Sequence, residues 1–243
     1  MIVRAAVLPH PPLLVPQLVA GATEETEPLR RACLDAARWL AEATSRWSAV
    51  AVDEVGSRVI EPATRGSFAG FGVDVPVSLA ELDEGEGRAD PLLPLPALIA
   101  GWLREHSGAE EVRVRLVTPD LDPDQCWLVG HELVDALSGP EPVALLVLGD
   151  SSPRHGDRAP GRPDPRAGEF DDKVRDALAA ADADALMDID TELAAELGAR
   201  GRSAWQVLAS VAQSSGVSWR GAVDYSGAPY GVGYHVARWE PAA

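Results

Sequence analysis

Val143-Ala144-Leu145-Leu146-Val147-Leu148-Gly149-Asp150-Ser151-Ser152 is the stretch from which the fold is read. Six consecutive apolar residues without alternation mark a strand buried on both faces. The run ends abruptly at Gly149-Asp150-Ser151-Ser152, as a strand does where it leaves a sheet for a loop. A strand covered on both faces implies helices above and below its sheet, so helical and strand patterns are expected to alternate along the chain.

Working outward, they do. Ile2 to Leu8 is a short apolar run stopped by Pro9, Pro11 and Pro12, which fits a buried strand running into a rigid loop. Thr23 can cap a helix whose first turn holds Glu24 and Glu25, and Leu29, Cys33, Ala36, Leu40 and Ala43 recur at helical spacing. Trp47 to Val55 reads as a second strand. In the Gly-, Pro- and acid-rich segment Gly56 to Asp90, Val73 to Leu79 could be a strand and Asp83 to Gly87 reads as loop. Leu92 to Glu105 then reads as a helix, Val112 to Val117 as a strand, and Asp122 to Leu137 as a helix capped by Asp122 with Pro123 at its first position. Beyond the opening stretch lies a long Pro-, Gly- and Arg-containing loop, Pro153 to Pro165. Helices are expected over Phe170 to Ala181, Ala185 to Leu197 and Ala204 to Ala212, and closing strands over Val217 to Tyr225 and Gly233 to Trp239. The expected fold is one α/β domain, 1–243: a mainly parallel central sheet flanked by helices, with antiparallel strands at the C-terminal edge.

Composition narrows the partners. The 243-residue chain carries a net charge of −17, and Lys173 is its only lysine. Such a surface repels phosphate backbones and anionic lipid, so nucleic acid and membranes are not expected as partners. Cys33 and Cys126 lie far apart among apolar residues, which fits buried free thiols. No apolar run reaches the length of a membrane span, and the N-terminus lacks the pattern of a signal peptide, so the expected compartment is the cytoplasm.

Chemistry in an open α/β sheet gathers at the carboxyl ends of the strands. Three such ends carry polar residues: Pro9-His10-Pro11-Pro12, Asp53-Glu54-Val55-Gly56-Ser57 and Gly149-Asp150-Ser151-Ser152. If those strands are neighbours, His10, Asp53 or Glu54, and Asp150 converge on one crevice. Prolines on both sides of His10 hold its backbone stiffly, which suits a metal ligand or general base, although a packed structural histidine has the same surroundings. His155 lies in the long loop after Asp150. His106 and His131 fall on helices and read as surface residues. Tyr234 and His235 alternate along the last strand, so one is expected to face the core and the other solvent. The strand-end carboxylates read equally as caps for neighbouring backbone N–H groups. The Gly-x-Ser-x-Gly nucleophile pattern is absent, and so are the usual phosphate-loop patterns.

The stretch Ala5-Ala6-Val7-Leu8-Pro9-His10-Pro11-Pro12-Leu13-Leu14-Val15-Pro16 resembles the opening of class III extradiol ring-cleavage dioxygenases of the subunit-B type, the LigB superfamily. Four later stretches extend the resemblance over nearly the whole chain: Gly149 to Ser152 followed by Ala159-Pro160-Gly161, Phe170 to Val174, Asp188 to Leu193, and Ala228 to Tyr234. The resemblance implies non-haem Fe(II) held by two histidines and a carboxylate, a further histidine as acid/base, and ring opening of a catechol-type aromatic. Carried over by position, His10 matches the first ligand. Gly56 and Ser57 stand where the second histidine is expected, Pro153 where the acid/base histidine is expected, and Ala199 where the carboxylate is expected. One imidazole cannot hold Fe(II) against water and cellular chelators, so dioxygenase chemistry would need a rebuilt site. The set weighed for it is His10 and Glu54 as metal ligands and His155 as a third ligand or the catalytic acid/base, with Asp150, Ser152 and Tyr230 as substrate contacts. The alternatives are a descendant without catalysis that binds a small molecule or a protein in the old crevice, and a metal-free hydrolase using Ser152 with His155 or His10. A small aromatic ligand and a homo-oligomer are both compatible with the sequence.

Overall fold

The central sheet has seven strands in the order β3-β7-β2-β8-β1-β10-β9. In the computed structural model, which describes residues 1–19, 23–83 and 86–242, these strands are β1 (Ile2–Leu8), β2 (Arg46–Val52), β3 (Arg58–Ile60), β7 (Glu111–Val117), β8 (Val143–Leu148), β9 (Trp219–Gly227) and β10 (Tyr234–Pro241). β1, β8, β2 and β7 run parallel. The expected antiparallel edge is present: β10 pairs with β1, and β9 with β10. The opposite edge is antiparallel as well, because β3 turns back directly onto β7. Parallel and antiparallel ladders are therefore equal in number, and the sheet is mixed rather than mainly parallel. A second, three-stranded sheet, β4 (Thr64–Ser67), β5 (Pro76–Ser78) and β6 (Arg88–Ala89), forms within the Gly- and Pro-rich segment.

Helices cover both faces, as continuous burial of β8 requires. One face carries α1 (Thr23–Ala43) and α2 (Leu95–Ser107), where Leu29, Cys33 and Leu40 pack against Ala6, Leu8, Leu146 and Leu148. The other carries α3 (Pro123–Ala136), α4 (Arg166–Ala180), α5 (Ala183–Met187), α6 (Thr191–Leu197) and α7 (Arg202–Ser214), packed over Val7, Val50, Leu145 and Val147. The Thr23 side chain, expected to cap α1, lies outside the described residues. The cap of α3 is as expected: Asp122 accepts from the Gln125 backbone N–H at 2.7 Å, and the Gln125 side chain accepts from Asp122 N–H at 3.0 Å. The helix expected over Ala185 to Leu197 is instead two. Asp190 interrupts it by accepting from the N–H groups of Glu192 and Leu193, which starts α6 afresh.

Tyr234 and His235 correct another expectation. Both are buried, at 3% and 2% exposure, because the sheet is covered on each side of β10. Both cysteines are buried free thiols, and burial pushes each thiol up from its ordinary range. Neither is a nucleophile at neutral pH.

Candidate functional site at the carboxyl edge of the sheet

β1 and β8 are neighbours, but the chain leaves them in opposite directions: β1 leads to α1 on one face and β8 leads to α4 on the other. Such a divergence is the place at which open α/β sheets put their ligands. It brings together two of the expected residues. The His10 backbone N–H donates to Asp150 Oδ1 at 2.8 Å, and the same oxygen lies 3.8 Å from His10 Nδ1. Nδ1 is buried and has no hydrogen-bond partner among the described residues. Below this pair on the α1 face, burial and the Asp150 carboxylate both push the Tyr234 phenol up, so it stays protonated.

His155 has a different carboxylate. Its Nε2 lies 2.7 Å from Asp171 Oδ2, and Asp171 Oδ1 accepts from the Ser151 hydroxyl. Asp171 is on α4, at position 171 of the buried stripe Ala167, Phe170, Asp171, Val174, Ala177, Leu178. An acid on the apolar stripe of a helix is a readable signal, yet the sequence reading, which has this segment as a helix and as part of the resemblance, gives Asp171 no role. The loop from Pro153 to Pro165 is tied down where His155 leaves it: Gly233 N–H donates to Ser152 O at 2.8 Å, Ser151 N–H to Gly233 O at 3.0 Å, and His155 N–H to Gly231 O at 3.0 Å.

The remaining expected residues go elsewhere. The buried Ser152 hydroxyl donates to Leu197 O at 2.8 Å, which secures the end of α6. Tyr230, with φ 55° in the left-handed region, stacks beneath the Arg158 guanidinium at 4.7 Å, and Arg158 pairs with Glu25 on α1 at 2.9 Å. Glu54 is exposed and pairs with Arg200 at 2.8 Å. Asp53 takes the capping role, accepting from Val55 N–H at 3.3 Å. Among the described residues, no group of three or more His, Cys, Asp or Glu side chains is placed to hold a metal ion. His10, Glu54 and His155 each face a different partner. A cavity of 460 Å³ opens further along the same edge, beyond the end of β7, between Pro119-Asp120 and the segment from α6 into α7. Ala199 and Arg202 line it.

His235 lies on the α4 face of β10. The Ser226 hydroxyl is 3.0 Å from its Nδ1, its Nε2 has no partner among the described residues, and burial lowers its pKa despite the nearby Asp171 carboxylate. A histidine held neutral in the fold takes up its proton more readily when unfolded. Its stability contribution is thus complete above about pH 6.5 and is lost as pH falls below that value. Chemical denaturation from pH 7.5 to 5.0 should show stability falling on the acid side, with a slope of at most about 1.4 kcal/mol per pH unit from this group. His235→Leu should flatten that slope; an unchanged slope would assign it to other groups.

No protein-family model matches the chain, and no curated protein matches it. Among solved structures, it is similar to the crystal structure of an uncharacterized protein from Escherichia coli K12, at 12% identity and a TM-score of 0.49, covering 98% of this chain and 99% of that one.

Proposed function

We propose that this chain is a class III extradiol dioxygenase-like protein of the subunit-B type that binds a small aromatic molecule at the carboxyl edge of its sheet without ring cleavage. The observation that carries this reading is the separation of the donors. His10 is placed at the strand end, as the resemblance implies, but Glu54 is engaged by Arg200 and His155 by Asp171. A two-His-one-carboxylate site for Fe(II) needs three donors converging on one point, and these side chains do not fit it. What the edge does offer is the cavity beyond β7 and, at the ends of β1 and β8, the His10–Asp150 pair with its unpartnered Nδ1. We place the protein in the cytoplasm, consistent with no helix of the described residues being long and apolar enough to cross a membrane.

The test is iron content after anaerobic Fe(II) loading, for wild type and His10→Ala, together with oxygen uptake on catechols and titration with small aromatics followed by tryptophan fluorescence. The expected result is iron well below one per chain in both proteins, no oxygen uptake, and saturable binding of an aromatic compound. Stoichiometric iron that is lost in His10→Ala, with ring-opened product, would establish the enzyme instead.

A further inference from the structure

The cavity beyond β7 is lined by an arginine that, among the described residues, has no carboxylate within ion-pair distance. Arg202, at the first position of α7, is 4% exposed. Its Nη1 donates to Leu121 O and, at 2.9 Å, to Gln206 Oε1, while Nη2 donates to Pro119 O at 2.6 Å. All these acceptors are neutral. The Nε–H and the second Nη2–H have no protein acceptor among the described residues, and Nε is not among the fully buried atoms lacking a partner. Arg202 lines the cavity, the nearest space toward which the Nε–H and the second Nη2–H could be directed. Asp120 and Asp122 act on it only as more distant charges, too weakly to offset burial, which lowers its pKa. A guanidinium removed from water and bonded only to carbonyls is costly unless an anion completes it.

Three further features agree. α7 begins at Gly201 without a side-chain cap, so the positive end of a 13-residue helix adds to the Arg202 charge. Arg200, on the same wall, is held among the described residues only by an exposed pair with Glu54, an interaction that a competing anion can replace at little cost. The rest of the lining includes Ala194, Ala195 and Ala199, small side chains that leave room for a flat apolar body. Asp120 and Glu192 also line the space and balance the two arginines. A single negative charge, exchanging for Glu54, is therefore favoured over a multiply charged phosphate.

We propose that this cavity binds a small monocarboxylate with an apolar body, its carboxylate taken by the free donors of Arg202 and by Arg200 swung away from Glu54. This rests on the small-molecule reading above and specifies the ligand. The guanidinium fork and the carboxylate are matched for two parallel hydrogen bonds.

The test is calorimetric titration of the full chain with benzoate and with benzamide, which has nearly the same shape and no charge. Wild type should bind benzoate saturably and benzamide at least about tenfold more weakly. Arg202→Met should weaken benzoate at least about tenfold. Because Arg202 also ties down Pro119 and Leu121, Ala199→Leu serves as a second variant: it fills the cavity, leaves the arginines, and should abolish binding. Glu54→Gln should tighten binding by freeing Arg200. Equal binding of benzamide would overturn the inference while the small-molecule reading stands. So would benzoate binding that survives both Arg202→Met and Ala199→Leu. Failure of both compounds to bind wild type also overturns it, and the functional reading then depends on the aromatic titration at His10.

Discussion

Asp171→Ala is expected to lower the melting temperature by about 6–12 °C, from a loss of about 3 kcal/mol and a conversion of 2–4 °C per kcal/mol for a chain of this size. Asp171 is buried and accepts from two groups at once, the Ser151 hydroxyl and His155 Nε2. Alanine removes the acceptor for both. Ser151 is 2% exposed, so water has little access to replace the lost partner, and a buried donor left unpaired costs its desolvation outright. The damage should also spread, since Ser151 and His155 are the points at which the loop after β8 is stitched to Gly231 and Gly233. Asp171→Asn keeps an oxygen for Ser151 and an amide that can donate to a neutral His155. Its loss should be well under half that of alanine, with the His155 ring tautomer changed in nitrogen-detected NMR spectra. A loss below about 1 kcal/mol for alanine would mean that the pair is effectively solvated.

Which parts of this arrangement could be read from the sequence follows from the length of the interactions involved. Val143–Leu148 was legible as a doubly covered strand because burial is written in every residue of the run. The Asp122 cap was legible because its partner Gln125 is three residues away. The approach of His10 to Asp150 was legible in outline, because it needs only that β1 and β8 be neighbours. Glu54 was different. Its partner Arg200 is far along the chain, and the pairing depends on how the turn after β2 meets the turn before α7, which no periodicity records. Of the small sheet only β5 was anticipated, within Val73 to Leu79; β3, β4 and β6 were missed for a related reason: strands of two to four residues within a Gly- and Pro-rich segment are held by their neighbours, not by their own pattern. Arg202 was hidden in a helix that is buried on every side from Arg202 to Ala212, so its polar row Arg202, Gln206 and Ser210 gave no sign that one member lines a cavity.

Gly201→Val is expected to cost about 3 kcal/mol, by forcing apart two backbones that touch. A Cβ at Gly201 would lie 2.5 Å from Trp205 Cζ2 and 2.8 Å from the Gly149 carbonyl carbon, and a Cβ at Gly149 would lie 2.6 Å from Gly201 Cα. Neither side can yield by a simple rotation. Gly149 ends the central strand β8, Trp205 is fully buried beneath it, and Gly201 N–H donates to Asp150 O at 2.7 Å. The branched side chain must therefore lift the start of α7 from the end of β8, and Arg202 moves with it. Benzoate binding should fall together with stability, whereas Gly139→Val, with nothing within 4 Å of its Cβ, should stay within about 0.5 kcal/mol of wild type. Thermal denaturation and the benzoate titration on the same preparations test both links. If Gly201→Val were as stable as Gly139→Val, the close seating of α7 on β8 would be refuted. If it were destabilised yet bound benzoate with unchanged affinity, the seating would stand, and the carboxylate would have to be held somewhere other than the start of α7.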